Sequence, residues 1–392
     1  AVVQVVATRA LAGRTNHLVT GVSGDLATSR FAFSAELGSL TLDRGVIGAG
    51  LFEDDDAVAL RTRTGTLALF VTDTLDLTPT VHVTGGARIN WSVVRLRDQI
   101  GTALNGDHAF RRLNPSIGAT WDASPRVNVF GGVSQSSRVP TPVELTCADP
   151  EDPCRLPNAF VADPPLDMPV ASTWEGGVRG VTGRGTWSLS LFDTQVDDDL
   201  IFISSGPRRG QGHFENVTRT RRRGFEADAT WRLPRLLLSS SYTWQRATYG
   251  DAFTVPSRFH PEAQDQELAV SPGDRLPGVP AHVARLGVQA RASSRLDVAA
   301  SLRAQGSQVY RGDESNRLPR VGGFAVLDLQ ARHRLGRRAT VVAQVNNLFN
   351  REYATFGVLG SAELLGEPYD DDARFVSPAP PRAAWVGVEV AF

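Results

Sequence analysis

Two cysteines, three acidic runs, and a scattering of arginines and aromatics in irregular segments are the residues of this 392-residue chain whose types could do chemistry. Cys147 and Cys154 enclose a proline-rich acidic stretch that reads as a loop. Zinc would need further ligands at this spacing, and no other Cys or His adjoins the pair. A disulfide closing a small ring is the expected reading, contributing about 2–3 kcal/mol in the loop-entropy model and implying export to an oxidising compartment. The runs Glu53–Asp56, Asp197–Asp199 and Asp370–Asp372 are oxygen-rich, as a calcium or cationic-ligand site would be. None has the alternating spacing of a calcium loop, so they read as solvated loop charge and no metal site is assigned.

Arg208, Arg209, Tyr249, Phe253, Phe259, His260, Tyr310, Arg311, Tyr353 and Phe356 mix cations with aromatic rings. Such a set suits a planar, anionic chelate through ion pairing and stacking, and these ten form the candidate ligand-binding set. The alternative for the paired arginines is contact with lipopolysaccharide, or plain solubilising charge. No catalytic residue is assigned. His82, His108, His213, His260, His282 and His333 are scattered, without a His-x-x-x-His or Gly-x-Ser-x-Gly pattern, and no cofactor is implied. A triad can be assembled from distant strands, but nothing in the spacing points to one.

The elements that must carry these residues are strands. The segment Ala383–Phe392 alternates Ala384, Val386, Val388, Val390 and Phe392 with Trp385, Glu389 and small residues, ending on an aromatic carboxy-terminus. A period of two makes it a strand with one apolar face. The same alternation marks Ala281–Arg291, Arg295–Gln305 and Phe324–Arg334, each with a polar row opposite an apolar one. Reading backwards, tight turns of Gly, Pro, Asp and Ser alternate with long connections near 44–64, 92–112, 137–170, 204–218, 247–280, 306–323 and 349–382. Several long structureless loops on one side count against a compact soluble domain and match an outer-membrane barrel. Trp91, Trp121, Trp187, Trp231, Trp244 and Tyr310 fall near strand ends, where interfacial girdles sit.

The fold class is therefore all-β, a transmembrane antiparallel β-barrel of about sixteen strands, with short periplasmic turns and long extracellular loops. At the N-terminal end Ala1–Thr8, His17–Ala27 and Phe31–Leu42 read as three strands, with Thr28-Ser29 as a connection. An even count puts both ends in the periplasm. Val386, Val388, Val390 and Phe392 are expected to face outward and Glu389 the lumen. No stretch approaches the roughly 20 apolar residues of a membrane helix. With a formal net charge of −1, the chain lacks the basic excess of a nucleic-acid binder. It carries arginine and no lysine, which reads as codon bias; a role for arginine toward lipid A or an anionic ligand is the alternative.

Several segments, in order, resemble TonB-dependent outer-membrane receptors. Val345-Asn346-Asn347-Leu348-Phe349-Asn350-Arg351-Glu352-Tyr353 is similar to the family's penultimate-strand signature. Leu113-Asn114-Pro115-Ser116-Ile117-Gly118 resembles its proline-containing strand opening, and Arg138-Val139-Pro140-Thr141-Pro142-Val143-Glu144-Leu145 its R-x-P-x-x-x-E-L segment. Trp174-Glu175-Gly176-Gly177-Val178, Glu215-Asn216-Val217 and Gly224-Phe225-Glu226 complete the order, which spans about residues 65–392. The resemblance implies active import of a scarce solute, such as a ferric siderophore or another metal chelate, by a monomer in the outer membrane of a Gram-negative bacterium. Lipid and lipopolysaccharide would surround it. Family members also carry an N-terminal plug, a box that binds TonB, and usually 22 barrel strands. None of the plug or box is present in residues 1–392, so the expectation is one barrel domain, N-terminally incomplete, coupled to TonB only through the absent part. Ala1–Thr8, whose two faces are poorly polarised, then reads as a strand cut from its neighbour. A passive sixteen-strand porin and a surface receptor without transport are the competing readings.

Overall fold

The computed structural model describes residues 1–43, 45–148, 154–155, 166–204, 211–361 and 372–391, with the backbone alone at 40, 53–56, 154–155, 204 and 211. The strands are β1 (Val2–Leu11), β2 (Arg14–Leu40), β3 (Val46–Asp76), β4 (Val81–Asp98), β5 (Gly106–Ser124), β6 (Val127–Ser137), β7 (Cys154–Arg155), β8 (Val170–Thr182), β9 (Gly185–Ser204) and β10 (Gln211–Leu233). They continue with β11 (Leu236–Tyr249), β12 (Phe253–Pro256), β13 (Glu267–Val270), β14 (His282–Arg291), β15 (Leu296–Gln305), β16 (Phe324–Leu335), β17 (Ala339–Asn346), β18 (Ala354–Leu359), β19 (Arg374–Pro378) and β20 (Ala383–Val390).

Fifteen of them follow one another through a single antiparallel sheet, and the two-residue β7 joins β10 as its sixteenth member. The pairs β12–β13 and β18–β19 are separate hairpins within the long connections. Among the described residues no register joins β1 to β20. Tight turns lie at one end of the wall. The β1–β2 turn places Ala12 and Gly13 at φ 50 and 76, the two positive values that a two-residue type I′ hairpin requires. Pro234-Arg235 closes β10–β11 as tightly.

Thr28-Ser29 is not a connection. β2 runs unbroken through it, with Thr28 opposite Arg63 and Ser29 opposite Thr62 on β3. Cross-strand pairing over the whole length overrides the local turn preference of these two residues. The expected even count of full-length strands is corrected with it. Fifteen run along the path, so β1 descends toward the tight-turn end, and the Ala1 amino group sits partway up the wall on the Gly24 carbonyl.

Several long connections are also shorter than the sequence implies. β3 extends back to Val46, β4 on to Asp98 and β5 back to Gly106. Along β3 before residue 53 the period-two signal is lost although the hydrogen-bonded ladder continues, whereas on the β4 extension Val94 and Leu96 stay buried in an apolar core against exposed Arg95 and Arg97. Within the membrane the alternation holds. Val386, Val388 and Val390 are 72%, 61% and 52% exposed on the lipid side. Glu389 reaches Arg332 at 2.7 Å on the opposite face, where Arg332 and Gln330 line a luminal cavity of about 850 Å³. Phe392 lies outside the described residues.

Candidate ligand-binding site

The lumen beneath the long loops is polar, as the inward row of a water-filled barrel must be. Arg88 donates to Asn90 at 2.9 Å and to Ser23 at 2.7 Å, and Arg112 donates to Gln135 at 3.1 Å. These arginines help to line a cavity of about 550 Å³ in the upper lumen.

Above it, the loops are built on small apolar cores of their own. The β12–β13 hairpin packs Val255, Leu268 and Val270 against Ile203, Ala247 and Tyr249. A second core joins Tyr310, Val321 and Leu359, with Phe259, Leu318 and Ala354 against it. Polar bonds then tie the loops together. Ser257 donates to the Gly312 carbonyl at 2.9 Å, and Asn316 brackets Arg275 by accepting from its amide and donating to its carbonyl. Gln308 donates to the Thr355 carbonyl at 2.8 Å. Three long connections therefore form one platform.

His260 and Asp313 are buried within it, 3.1 Å apart. His260 Nδ1 accepts the Glu262 amide at 3.1 Å, so Nε2 carries the proton and donates to Asp313. Ser257 is near in sequence, but neither imidazole nitrogen is left to take its proton; the grouping is a structural clamp, not a nucleophile and base. The neighbouring Glu314 is fully buried. Burial pushes its carboxyl up to about 7, with Asp313 adding to the rise, against the Gly312 amide bond and the Arg311 charge.

Arg311 is the distinctive side chain of the platform. Its guanidinium lies 5.4 Å from the ring centroids of both Phe202 and Phe356, and Phe202 makes an edge contact with Phe214 at 5.3 Å. Among the described residues it makes no hydrogen bond or ion pair; burial lowers its pKa, against the charge of Glu314. A cation held between two rings with no ion pair among the described residues can meet a planar anion by charge and stacking together.

The structure brings together only part of the candidate set. Arg311 and Phe356 are adjacent. Tyr353 stacks on Phe324 at 4.3 Å and accepts from Arg303 at 3.2 Å. Tyr249 is buried against Phe253 at 5.0 Å, and His260 and Tyr310 are buried as well, with Phe259 packed on the second core. In this structure these five build the platform and offer little surface to a ligand. Burial likewise removes Tyr310 from the expected girdle. Arg208 and Arg209 lie outside the described residues. Cys147 is disulfide-bonded, and the side chain of Cys154 lies outside the described residues. Among the described residues no cluster of His, Cys, Asp and Glu could hold a metal. Phe202, the other half of the arginine sandwich, was not in the candidate set because it lies on a strand and not in a loop.

The resembling motifs acquire mechanical roles. Arg138 grips Glu144 with two bonds of 2.7 Å, and the Thr141 amide adds a third. Asn216 accepts from the Asp167 amide and donates to the Asp167 and Asp198 carbonyls, pinning the segment that enters β8. Asn347 and Asn350 have φ 50 and 51, a left-handed conformation that asparagine tolerates, and both accept from backbone amides.

The TonB dependent receptor-like β-barrel family model matches residues 10–348. The chain belongs to this family of outer-membrane receptors. The metal-pseudopaline receptor CntO of Pseudomonas aeruginosa is 26% identical over 273 residues, covering 68% of this chain and 33% of that protein. The pesticin receptor of Yersinia pestis is 26% identical over 215 residues, covering 54% of this chain and 29% of the receptor. Two solved structures show the same fold. The ferric-catecholate import receptor Fiu of E. coli K12 has TM-score 0.70 at 18% identity, covering 99% of this chain and 53% of that one. The ferric yersiniabactin uptake receptor FyuA of Yersinia pestis has TM-score 0.69 at 18% identity, with 100% and 54% covered. The chain thus spans about a third of these curated relatives and about half of the solved receptors. For a receptor barrel of this family the tight turns are periplasmic and the loop platform extracellular.

Proposed function

We propose that this chain is the barrel portion of a TonB-dependent transporter that captures a scarce solute at its loop platform, with a ferric siderophore or similar metal chelate as the ligand. The observation that carries this reading is the Arg311 guanidinium held between Phe202 and Phe356 with no ion pair among the described residues. Chelates of ferric iron with catecholate or carboxylate groups are anionic, and catecholate rings are planar, so such ligands meet the site by charge and stacking together. The ferric-catecholate receptor Fiu, the ferric yersiniabactin receptor FyuA and the metal-pseudopaline receptor CntO point to the same class of ligand. Residues 1–392 act as one barrel unit, and energy reaches it from TonB through polypeptide outside these residues. Membership of the receptor family favours this reading over the porin. The loop disulfide is proposed to pair Cys147 with Cys154, whose backbone lies beside Gly212 on β10.

The test is growth rescue under metal limitation with a panel of chelates, using the full-length gene in a strain lacking its own receptors. Rescue by one chelate class, weakened about tenfold or more in apparent affinity by Arg311→Gln, is the expected result. Rescue that is independent of TonB would overturn the reading.

A further inference from the structure

The outer wall carries a second array of arginines that the import reading does not use. Arg30 on β2 stands directly opposite Arg61 on β3, and Arg61 directly opposite Arg97 on β4. One step along the same face, Arg63 stands opposite Arg95. These five side chains face outward with Leu26, Leu67 and Val93, all of them exposed. Like charges placed directly across a sheet repel. Asp107 alone among the described residues pairs with any of them, at 2.9 Å from Arg97 and 3.8 Å from Arg95. Arg30, Arg61 and Arg63 make no ion pair among the described residues. The acidic run Glu53–Asp56 stands further along β3, and its side chains are not described.

The height of the array identifies what it meets. Along the outward row of β3, Gly65, Leu67, Leu69 and Val71 lie between Arg63 and Asp73. That interval is the roughly nine residues a tilted strand needs to cross the hydrocarbon. On β4 the outward row runs Ile89, Trp91 and Val93 before reaching Arg95 and Arg97. The arginines therefore begin where the apolar band ends, on the extracellular side, just above an interfacial tryptophan. Beneath them lies an outward cleft of about 420 Å³ lined by Leu26, Leu67, Trp91 and Val93, with Arg63 and Arg95 at its rim.

We propose that this array is a binding site for the phosphorylated headgroup of an outer-leaflet glycolipid of the lipid A type, with an acyl chain lying along the cleft. The occupant must be anionic, because only an anion relieves the facing arginines. It must be a lipid, because the charges sit at headgroup depth over an apolar cleft. Guanidinium groups bind phosphate with paired donors, so two ranks of arginine suit a headgroup with two phosphates. The inference rests on the outer-membrane placement and is independent of what the receptor imports.

The test uses the full-length receptor, stripped of lipid in mild detergent and titrated with bisphosphoryl lipid A, monophosphoryl lipid A or inorganic phosphate. Bound lipid is read by native mass spectrometry and the melting temperature in parallel. Bisphosphoryl lipid A is expected to bind best and to raise the melting temperature. The variant R30Q/R61Q/R63Q, which spares the Asp107-paired Arg95 and Arg97, is expected to bind it about 100-fold or more weakly, because each arginine at an anionic surface contributes a factor of roughly five. Without lipid that variant should melt no lower than the wild type, since it relieves repulsion. Unchanged lipid A binding in the variant would overturn the site. So would inorganic phosphate matching lipid A at equal concentration. A variant that melts lower without lipid would show the protein's own carboxylates to be the partners, and would overturn it equally.

Discussion

Glu314 makes the extracellular platform sensitive to pH, and the size of the effect follows from its surroundings. The carboxyl is fully buried, rises from an ordinary 4.5 to about 7, and accepts the Gly312 amide at 3.0 Å. A raised acid binds its proton more tightly in the folded state. Its stabilising protonated form is fully present below the unfolded value, and is lost as pH rises from about 4.5 through about 7. At 1.36 kcal/mol per pH unit the full span is about 3 kcal/mol, and between pH 5.5 and 8 it is about 2 kcal/mol. That is roughly a 30-fold change in the opening of the loop around residues 310–318. Hydrogen exchange of the Gly312, Arg317 and Leu318 amides, all bonded to Glu314 or Asp313, reads it directly. Once intrinsic exchange rates are divided out, these amides should be about 30-fold better protected at pH 5.5 than at pH 8. Glu314→Gln keeps an acceptor for Gly312 and cannot ionise. It should remove the pH dependence and strengthen the loop at pH 8 by about 2 kcal/mol, the remainder being lost to an amide without a partner. Equal protection at the two pH values, or a variant that keeps the wild-type dependence, would refute the reasoning.

Three further outcomes are expected. Burial pushes the Glu144 carboxyl up, but the Arg138 and Thr141 bonds bring it below its ordinary value, so its contribution is present above that value and lost as pH falls through the lowered one. Glu144→Gln should cost about 1–2 kcal/mol, less than a fully buried pair because Arg138 is half exposed, and should show as faster proteolysis around residues 138–147. Val388→Arg places a charge in the lipid-facing row and should destabilise the barrel by about 2–4 kcal/mol in bilayers, measured by urea unfolding. In Gly357→Ala the added methyl would crowd Val321 and Tyr310 in the second loop core. It should lower the melting temperature by an amount matching about 1–3 kcal/mol of overpacking, and a variant as stable as the wild type would show that this core yields easily.

The wall was legible in the sequence because lipid and lumen impose opposite demands on successive residues. Ala325, Leu327 and Leu329 against Asp328, Gln330 and Arg332 could be read without coordinates, and β16 pairs on both sides as that alternation requires. High on β3, before residue 53, this constraint lapses. β3 runs on to Val46 with no alternating signature, and its extension is held by backbone pairing to β2 alone over residues 46–53. The candidate set is less legible for a related reason. Tyr249, Phe253 and Tyr310 were legible as loop aromatics, but a loop this large needs an apolar core before it can present anything to a ligand. Its aromatics serve that core first. Among the ten candidates, Arg311 is the cation that the described residues hold between two rings without an ion pair, and its role toward a ligand is the one proposed above. The arginines of the outer wall obey the same logic in two dimensions. Arg30, Arg61 and Arg97 are 31 and 36 positions apart in sequence, and only the register of β2, β3 and β4 places them side by side. A charge cluster assembled by strand pairing leaves no local motif. It becomes visible once each residue is assigned both a face and a height, and those two coordinates decide whether an arginine meets water, a chelate or a lipid phosphate.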